Sequence, residues 1–444
     1  MRVVHVPFGF RPDPVGGTEV YVETLAREQL RLGLEVLIAA PGPRTEQYED
    51  NGLPVYRFGT SVADVRDLYG AGDPRASREF GRLLDAEQPD IVHLHAFTSG
   101  VSLRLAREAR RRGLRVVFTY HTPTVSCPRG TLLHWGRAVC DGRLDVHTCA
   151  RCVLHGVGAG KPASALLGGL PPDAGRLIGR IGLSGGVWTA LRMTELIELR
   201  QAAFLSLMRE VDHTVVVCGW ARDLLLRNGV PADKITVSRH GLAQRSVRHS
   251  APCVGRPPTL RPLRVAFVGR LHPSKGVDLL VNAVRGLPGA PLELHLYGVA
   301  QGQAGVACQA NLEQLAAGDD RILFASPMPN EDVVERLQDY DVVAVPSRVL
   351  ETGPLVVLEA FAAGVPVVGS GLGGIAELVQ HDVNGLLVPA DSLEGWRRAF
   401  RRLLDEPELL TRLRAGVRPP RSMDAVARDM EAVYVANTRL AAAS

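Results

Sequence analysis

Two glutamates stand eight positions apart in the stretch Glu351 to Glu359, just after Pro346-Ser347-Arg348 closes an apolar run. If Gly353 and Pro354 open a helix there, the N–H groups of Leu355 and Val356 lack intrahelical acceptors and form an anion site. A helix dipole worth about half a charge reinforces it. Upstream, the apolar run that ends at Gly269 delivers Arg270 to a strand end, and Lys275-Gly276 lies five residues beyond the arginine. Two cations at one strand end suit a diphosphate, because phosphates taken out of water need charge-assisted donors. Arg270 or Lys275 alone reads equally well as a solvated charge; it is their order with the two glutamates that points to a site. Near the start of the chain, Gly16-Gly17 is a candidate anion cradle ahead of a helix expected over Thr18 to Leu32, with Thr18 as N-cap and Gly33 as the stop.

Four of the seven cysteines, Cys127, Cys140, Cys149 and Cys152, fall within 26 consecutive positions. An odd cysteine count in a long chain argues against a disulfide framework, so the choice is between reduced thiols and a four-thiolate structural zinc site that closes a loop. His134, His147 and His155 lie in the same stretch. The following segment, 161–193, is apolar and Gly-rich, with Lys161, Arg176, Arg180 and Arg192 against Asp173. It reads either as an amphipathic surface touching a membrane or lipid-linked acceptor, or as a lid.

These groups need a scaffold, and the chain supplies short Val- and Ile-rich runs with helical stretches between them. They are Val3 to Val6, Val36 to Ala40, Ile91 to His95, Val116 to His121, Thr214 to Cys218 and Ile235 to His240. Runs this short suit strands buried on both faces of a parallel sheet. Residues 244–262, rich in Pro and Arg, read as a linker. The alternation resumes at Arg264 to Gly269, Leu292 to Gly298, Val342 to Pro346 and Val365 to Gly369. The expected fold class is α/β: a doubly wound domain over 1–243 with an insertion at about 127–200, and a second over 263–422. A final helix, 423–444, is expected to be able to cross back to the first. Ligands of such sheets lie at the carboxyl ends of the strands.

Composition agrees. With 46% hydrophobic residues the chain is no disordered polymer, and a net charge of +4 with 5% aromatics leaves no basic, stacking surface for nucleic acid. Met1 to Val6 reads as a buried strand rather than a signal peptide, and no apolar run reaches about 18 residues, so the expected compartment is the cytoplasm.

The motifs GRLHPSKG (269–276), PSRVLETGPLVVLEA (346–360) and GLGGIAELV (371–379), with the Gly16-Gly17 loop and the TYHTP segment holding His121, resemble the family 4 retaining glycosyltransferases. The resemblance spreads over both halves. It implies the GT-B fold, two Rossmann-like domains facing a cleft, a nucleotide-sugar donor held mainly by the second and a glycosyl acceptor by the first. It assigns Arg270, Lys275 and the backbone of Gly269 and Gly17, beside Gly16, to the leaving diphosphate. Glu359 falls to the ribose, Glu351 and His121 to the donor sugar, and Gly353, Leu355 and Val356 to backbone donation. No metal or other cofactor is implied for the chemistry. The sequence departs from many relatives at Thr352-Gly353-Pro354, which touches donor choice. The rival readings are a nucleotide-sugar epimerase of the same fold and a non-catalytic sugar-nucleotide-binding protein.

Two patterns imitate other sites. Gly369 to Gly374 fits G-x-G-x-x-G, with Asp391 where a ribose-binding acid would stand, but the helix after it is expected to be too short for a dinucleotide fold. Asp339-Tyr340-Asp341 imitates a metal-binding D-x-D, yet it enters a strand and reads as a solvated strand start.

Overall fold

The computed structural model describes residues 1–13, 16–61, 64–183, 185–243 and 261–442, with side chains through residue 436. The chain divides into two compact units: 1–239 with 424–444, and 240–423. Residues 244–260, most of the expected linker, lie outside the described residues. Arg261 and Pro262 already belong to the second unit, where Arg261 pairs with Asp341.

The first unit is built on an eight-stranded sheet. Its strands are β1 (Arg2–Val6), β2 (Glu35–Gly42), β3 (Glu46–Asp50), β4 (Leu53–Gly59), β5 (Ile91–Leu94) and β6 (Arg115–Tyr120), followed after a small hairpin of β7 (Leu133–His134) and β8 (Ala138–Val139) by β9 (His213–Val216) and β10 (Ile235–Val237). The order is β10-β9-β6-β5-β1-β2-β4-β3, parallel throughout except for β3 against β4. The chain starts in the middle, winds to one edge and returns to continue on the other side, so the topological switch lies between β1 and β5. The β3–β4 hairpin was not anticipated, although Asn51-Gly52 signals it. Both residues have positive φ, 50° and 82°, as a two-residue primed turn requires.

The second unit contains β11 (Leu263–Arg270), β12 (Leu292–Val299), β13 (Ile322–Ala325), β14 (Val342–Val345), β15 (Val367–Ser370) and β16 (Gly385–Val388), all parallel in the order β13-β12-β11-β14-β15-β16. Alternate residues of β11 enter two separate cores. Val265 and Phe267 pack with Trp396 and Phe400, whereas Ala266 packs with Val343, Val357 and Phe361. Burial on both faces explains why these strands read as continuous apolar runs rather than alternating ones. Here the switch lies between β11 and β14.

Two local expectations change. The first helix spans Gly17–Arg31, and its N-cap is Gly16, not Thr18. Glu19, not a hydroxyl, satisfies the helix start: its carboxylate accepts from the Gly16 N–H at 2.8 Å. The last helix, Met423–Ala442, belongs to the first unit from Asp424 onward, and Tyr434 is fully buried there.

Candidate functional site

In the second unit the switch point brings the sequence-selected residues together. The strand β11 ends in Gly269, whose φ of 152° favours glycine, and in exposed Arg270. A 3-10 turn, Pro273–Lys275, then aims Lys275 across to the loop that follows β14. There the Lys275 ammonium meets Glu351 Oε1 at 2.5 Å, and the Ser347 hydroxyl donates to the same oxygen at 2.7 Å. Burial pushes the Glu351 carboxyl upward, but the charge and hydrogen bond of Lys275, the Ser347 hydroxyl and the charge of Arg270 outweigh it and hold the pKa below its ordinary value. Glu351 is therefore an ionised acceptor. Glu359, on the helix Leu355–Ala362, has no such support, and burial pushes its carboxyl up to about 7. Two glutamates of one motif thus have opposite electrostatics. The helix begins at Leu355 as expected, so the N–H groups of Leu355 and Val356 occupy its first turn.

Close backbone approach, rather than side chains, sets this loop. A Cβ on Gly276 (φ 66°) would lie 2.2 Å from Pro346 O, so only glycine lets the Lys275 turn seat against the β14 loop. Arg348 N–H donates to Ser274 O at 2.8 Å, and the Arg348 guanidinium clamps Asp278 and Asp391. On the other side, Gly374 N–H donates to Glu351 O at 2.6 Å, and a Cβ on Gly374 would stand 2.4 Å from Thr352 O. His240 supports the same turn, with Nδ1 3.1 Å from Gly353 O; burial pushes its pKa down to about 4, so it is a neutral donor there. Sequence reasoning did not pick out Ser347 as a partner of Glu351, nor His240 and Gly374 as supports. The one signal for Ser347 was its place in the same post-strand loop, four residues before Glu351.

Two imitations resolve. The G-x-G-x-x-G-like run leads into a helix of only six residues, Gly373–Leu378, and its last glycines serve the Glu351 loop. Asp391 is paired with Arg348. Asp341 corrects the expectation of a solvated strand start: it is 1% exposed and held by Arg261, Arg414 and the Arg264 N–H, a structural charge rather than a metal ligand. Asp339 remains exposed.

In the first unit, Gly16 and Gly17 stand at the N-terminus of the first helix. Gly16 gives its N–H to Glu19, which takes that N–H out of the candidate anion cradle. His121 follows β6 and is nearly buried, with Nε2 3.0 Å from His95 Nδ1 and the Tyr21 ring edge-on at 4.7 Å. Among the described residues, the three ligand atoms that come within 4.8 Å of one another belong to His5, His93 and His95. Their ring nitrogens are already hydrogen-bonded within the protein, which is the pattern of a satisfied buried cluster, not of a cation site. The cysteines are not brought to that spacing. They are neighbours nonetheless: Cys140 closes the β7–β8 hairpin, Cys149 and Cys152 project from the helix Val146–Gly156, and negative charge on Cys127, Cys140 or Cys152 would raise the Cys149 thiol beyond what burial does.

The segment 161–193 folds as the short helices Lys161–Leu167, Pro172–Arg180 and Gly186–Leu191. Two of its four cations are ion-paired. Arg192 is buried on Glu195 at 2.8 Å, and Arg176 pairs with Asp173 and Glu198. Leu166, Leu177, Ile181, Val187 and Trp188 are exposed, beside exposed Lys161 and Arg180.

The family profile "Glycosyl transferases group 1" matches residues 258–418, and "Glycosyl transferase 4-like domain" matches residues 16–159. A D-inositol 3-phosphate glycosyltransferase of Corynebacterium aurimucosum is 31% identical over 88% of this chain and 83% of its own. The chain belongs to the group 1 glycosyltransferases. A second relative of the same name, from Saccharomonospora viridis, is 38% identical but is matched over only 37% of its length, by 35% of this chain. Among solved structures, Anabaena HepE in complex with UDP and glucose matches with a TM-score of 0.64 at 15% identity, over 97% of this chain and 98% of that one. Two Rossmann-like units in one chain are the make-up of the GT-B fold. For a group 1 glycosyltransferase the cation and carboxylate cluster lies where an α/β sheet holds its ligand, at the carboxyl ends of β11 and β14. Among the described residues no helix is long and apolar enough to cross a membrane.

Proposed function

We propose that this chain transfers a sugar from a nucleotide sugar to a glycosyl acceptor with retention of anomeric configuration. The observation that carries the reading is the Lys275–Glu351–Ser347 constellation at the β11/β14 switch point. Breaking the bond from sugar C1 to phosphate oxygen leaves negative charge on the diphosphate. Lys275, Arg270 and the N–H groups of Gly269, Leu355 and Val356 are the groups to receive it, and they do so without a metal. A diphosphate competes with Glu351 for the Lys275 ammonium, which frees the Glu351 carboxylate to accept from a sugar hydroxyl. Glu359 takes the ribose hydroxyls. In the first unit, resemblance assigns Gly17 to the diphosphate and His121 to the sugar. Departure of the diphosphate and arrival of the acceptor hydroxyl on the same face accounts for retention, the leaving phosphate taking the acceptor proton.

Glu359 gives this reading a pH signature. Its pKa is raised by burial, so the protonated form stabilises the free protein; that contribution is complete below the ordinary value of 4.5 and is lost as pH rises through about 7. Ribose binding needs the carboxylate, so affinity has the opposite sign. UDP, the nucleotide in the matched Anabaena structure, should bind about tenfold more tightly at pH 8 than at pH 6, as the competent fraction grows. Titration calorimetry measures this, and Glu359→Gln, which should flatten the profile, subtracts the titration of the nucleotide itself. A wild-type slope equal to that of the variant would remove Glu359 from the ribose.

On the acceptor side, the exposed apolar side chains of 161–191 with Lys161 and Arg180 support a surface that lies against a bilayer carrying a lipid-linked acceptor. The protein should co-sediment with vesicles containing anionic lipid, and Leu177→Asp with Ile181→Asp should abolish this while leaving UDP binding intact. Unchanged sedimentation of that double variant would leave the segment as a lid.

A further inference from the structure

The helix Met193–Glu210 of the first unit buries Leu196, Ile197, Phe204 and Leu207 along one stripe. Arg200 stands on that stripe, four residues after Leu196 and four before Phe204, where an apolar side chain is expected. A cation at a core-facing position is costly unless something compensates it.

The compensation inside the protein is partial. The Arg200 guanidinium carbon lies 5.0 Å from the centre of the buried Phe97 ring, beyond the end of β5, and Nη2 donates to Thr124 O, beyond the end of β6. A ring face and one carbonyl carry no net charge. Nε is buried with no hydrogen-bond partner. The groups whose charge reaches the guanidinium, Tyr69 and Cys127, carry none while protonated, and burial pulls the Arg200 pKa below its ordinary value. Other buried arginines of this unit are treated differently. Arg57 sits on Asp13 at 2.5 Å and Arg192 on Glu195 at 2.8 Å. Among the described residues, Arg200 has no carboxylate of its own.

Its place in the fold gives that omission a use. The side chain is only half-buried, and it stands by the carboxyl ends of β5 and β6, adjacent strands of a sheet whose ligands are expected at those ends. Neutral hydroxyls stand nearby. Those of Thr122 and Thr124 lie 2.5 Å apart, so one donates to the other and one proton is left over. Burial raises the Tyr69 pKa, and the Arg200 charge only partly opposes this, so the phenol keeps its proton.

We propose that Arg200 anchors a phosphate-binding site in the first unit, so that the acceptor this chain glycosylates is a phosphate ester. The inference rests on the proposed transfer only in calling the ligand an acceptor. An incoming phosphate brings the counter-charge that the fold leaves out, and a guanidinium already stripped of much of its water holds it more strongly than an exposed one would. The planar fork takes two phosphate oxygens, and a further oxygen is left for a hydroxyl. A carboxylate has no such third oxygen.

The test uses the full-length chain at constant ionic strength, with UDP present to occupy the proposed diphosphate site. Inorganic phosphate and glycerol 3-phosphate are titrated by calorimetry, and vesicles with and without phosphatidic acid are tested by co-sedimentation. Arg200→Met fills the stripe without the charge and should weaken phosphate binding about 10- to 100-fold, the range of one charged hydrogen-bond donor. It should also unfold no earlier than wild type in chloride, because it removes a desolvated, unpaired cation. Arg200→Lys should restore part of the affinity. Glycerol 3-phosphate binding that depends on Arg200 supports a soluble phosphate acceptor, and Arg200-dependent binding confined to phosphatidic acid vesicles supports a lipid phosphate. Equal phosphate affinity of wild type and Arg200→Met, equal binding of acetate and phosphate by wild type, or early unfolding of Arg200→Met overturns the inference, the last because it makes Arg200 a structural donor to Thr124. The comparison isolates one side chain, so failure of UDP to bind would count against the proposed function and leave the phosphate result standing.

Discussion

Lys275→Ala should lower turnover by about 100- to 1,000-fold, the usual cost of removing one donor from charge that develops in a transition state. The lysine is placed for this by backbone, not chance. Its turn seats against the β14 loop because Gly276 carries no Cβ, and its ammonium shares Glu351 with Ser347. Loss of the ammonium has a second consequence, because the charge and hydrogen bond of Lys275 do most to keep Glu351 ionised against its burial. In Lys275→Ala the Glu351 pKa should rise, so part of the lost activity should return at higher pH. Lys275→Arg keeps the charge but not the compact point geometry, and should recover the Glu351 ionisation better than the rate. Turnover of a folded Lys275→Ala protein within a few fold of wild type would end the assignment of Lys275 to the leaving group.

The strands that carry these residues were legible, because strands buried on both faces announce themselves as short Val- and Ile-rich runs. Arg270, Lys275, Glu351 and Glu359 drew notice by their charge and their order after such runs, and received roles only through the family resemblance. What stayed hidden depends on contacts between distant segments. Gly373 and Gly374 look in the sequence like a phosphate loop, since the letter G does not say what comes close; in the fold it is the Glu351 and Thr352 backbone. Asp341 looked solvated because its cations, Arg261 and Arg414, lie about 75 residues to either side. The alternation His93-x-His95 and Thr119-x-His121 was visible, but a polar residue on a buried strand has no meaning until its partners are known. Those partners include Gln29, far upstream, and Tyr434, on a helix that the sequence could only suggest crosses back.

Cys149→Ser should release one zinc ion and loosen the segment between Cys127 and the end of the helix Val146–Gly156. We propose that Cys127, Cys140, Cys149 and Cys152 bind this ion as a structural site. The support is local. Trp135 N–H points at Cys152 Sγ at 3.4 Å and Gly142 N–H at Cys140 Sγ at 3.5 Å, and the Arg129 guanidinium lies 3.5 Å from Cys152 Sγ. N–H donors and a cation near sulfur are groups that a metal-bound thiolate would use, although in the free protein the Cys152 thiol also points at Leu133 O at 3.6 Å and burial raises the Cys140 thiol. To hold those donors the hairpin accepts left-handed backbone at Leu132 and Trp135, with φ of 49° and 55°. Without metal the pull is the other way, since burial pushes the Cys149 thiol up to about 11. A tetrahedral site with bonds of about 2.3 Å needs sulfurs about 3.8 Å apart, so binding must draw the four thiols in from their present spacing and release their protons. The affinity should therefore fall steeply as pH drops. Structural zinc supplies about 10 to 16 kcal/mol of apparent binding energy in small peptides, enough to repay both the movement and the strained backbone. If donor binding rests on the second unit, as proposed, UDP binding should survive Cys149→Ser, while transfer to acceptor falls. Elemental analysis of protein purified without a metal-affinity tag decides between the outcomes. About one zinc per chain, lost in Cys149→Ser, supports the site; zinc far below one per chain, with all four thiols titrating freely in the native state, refutes it.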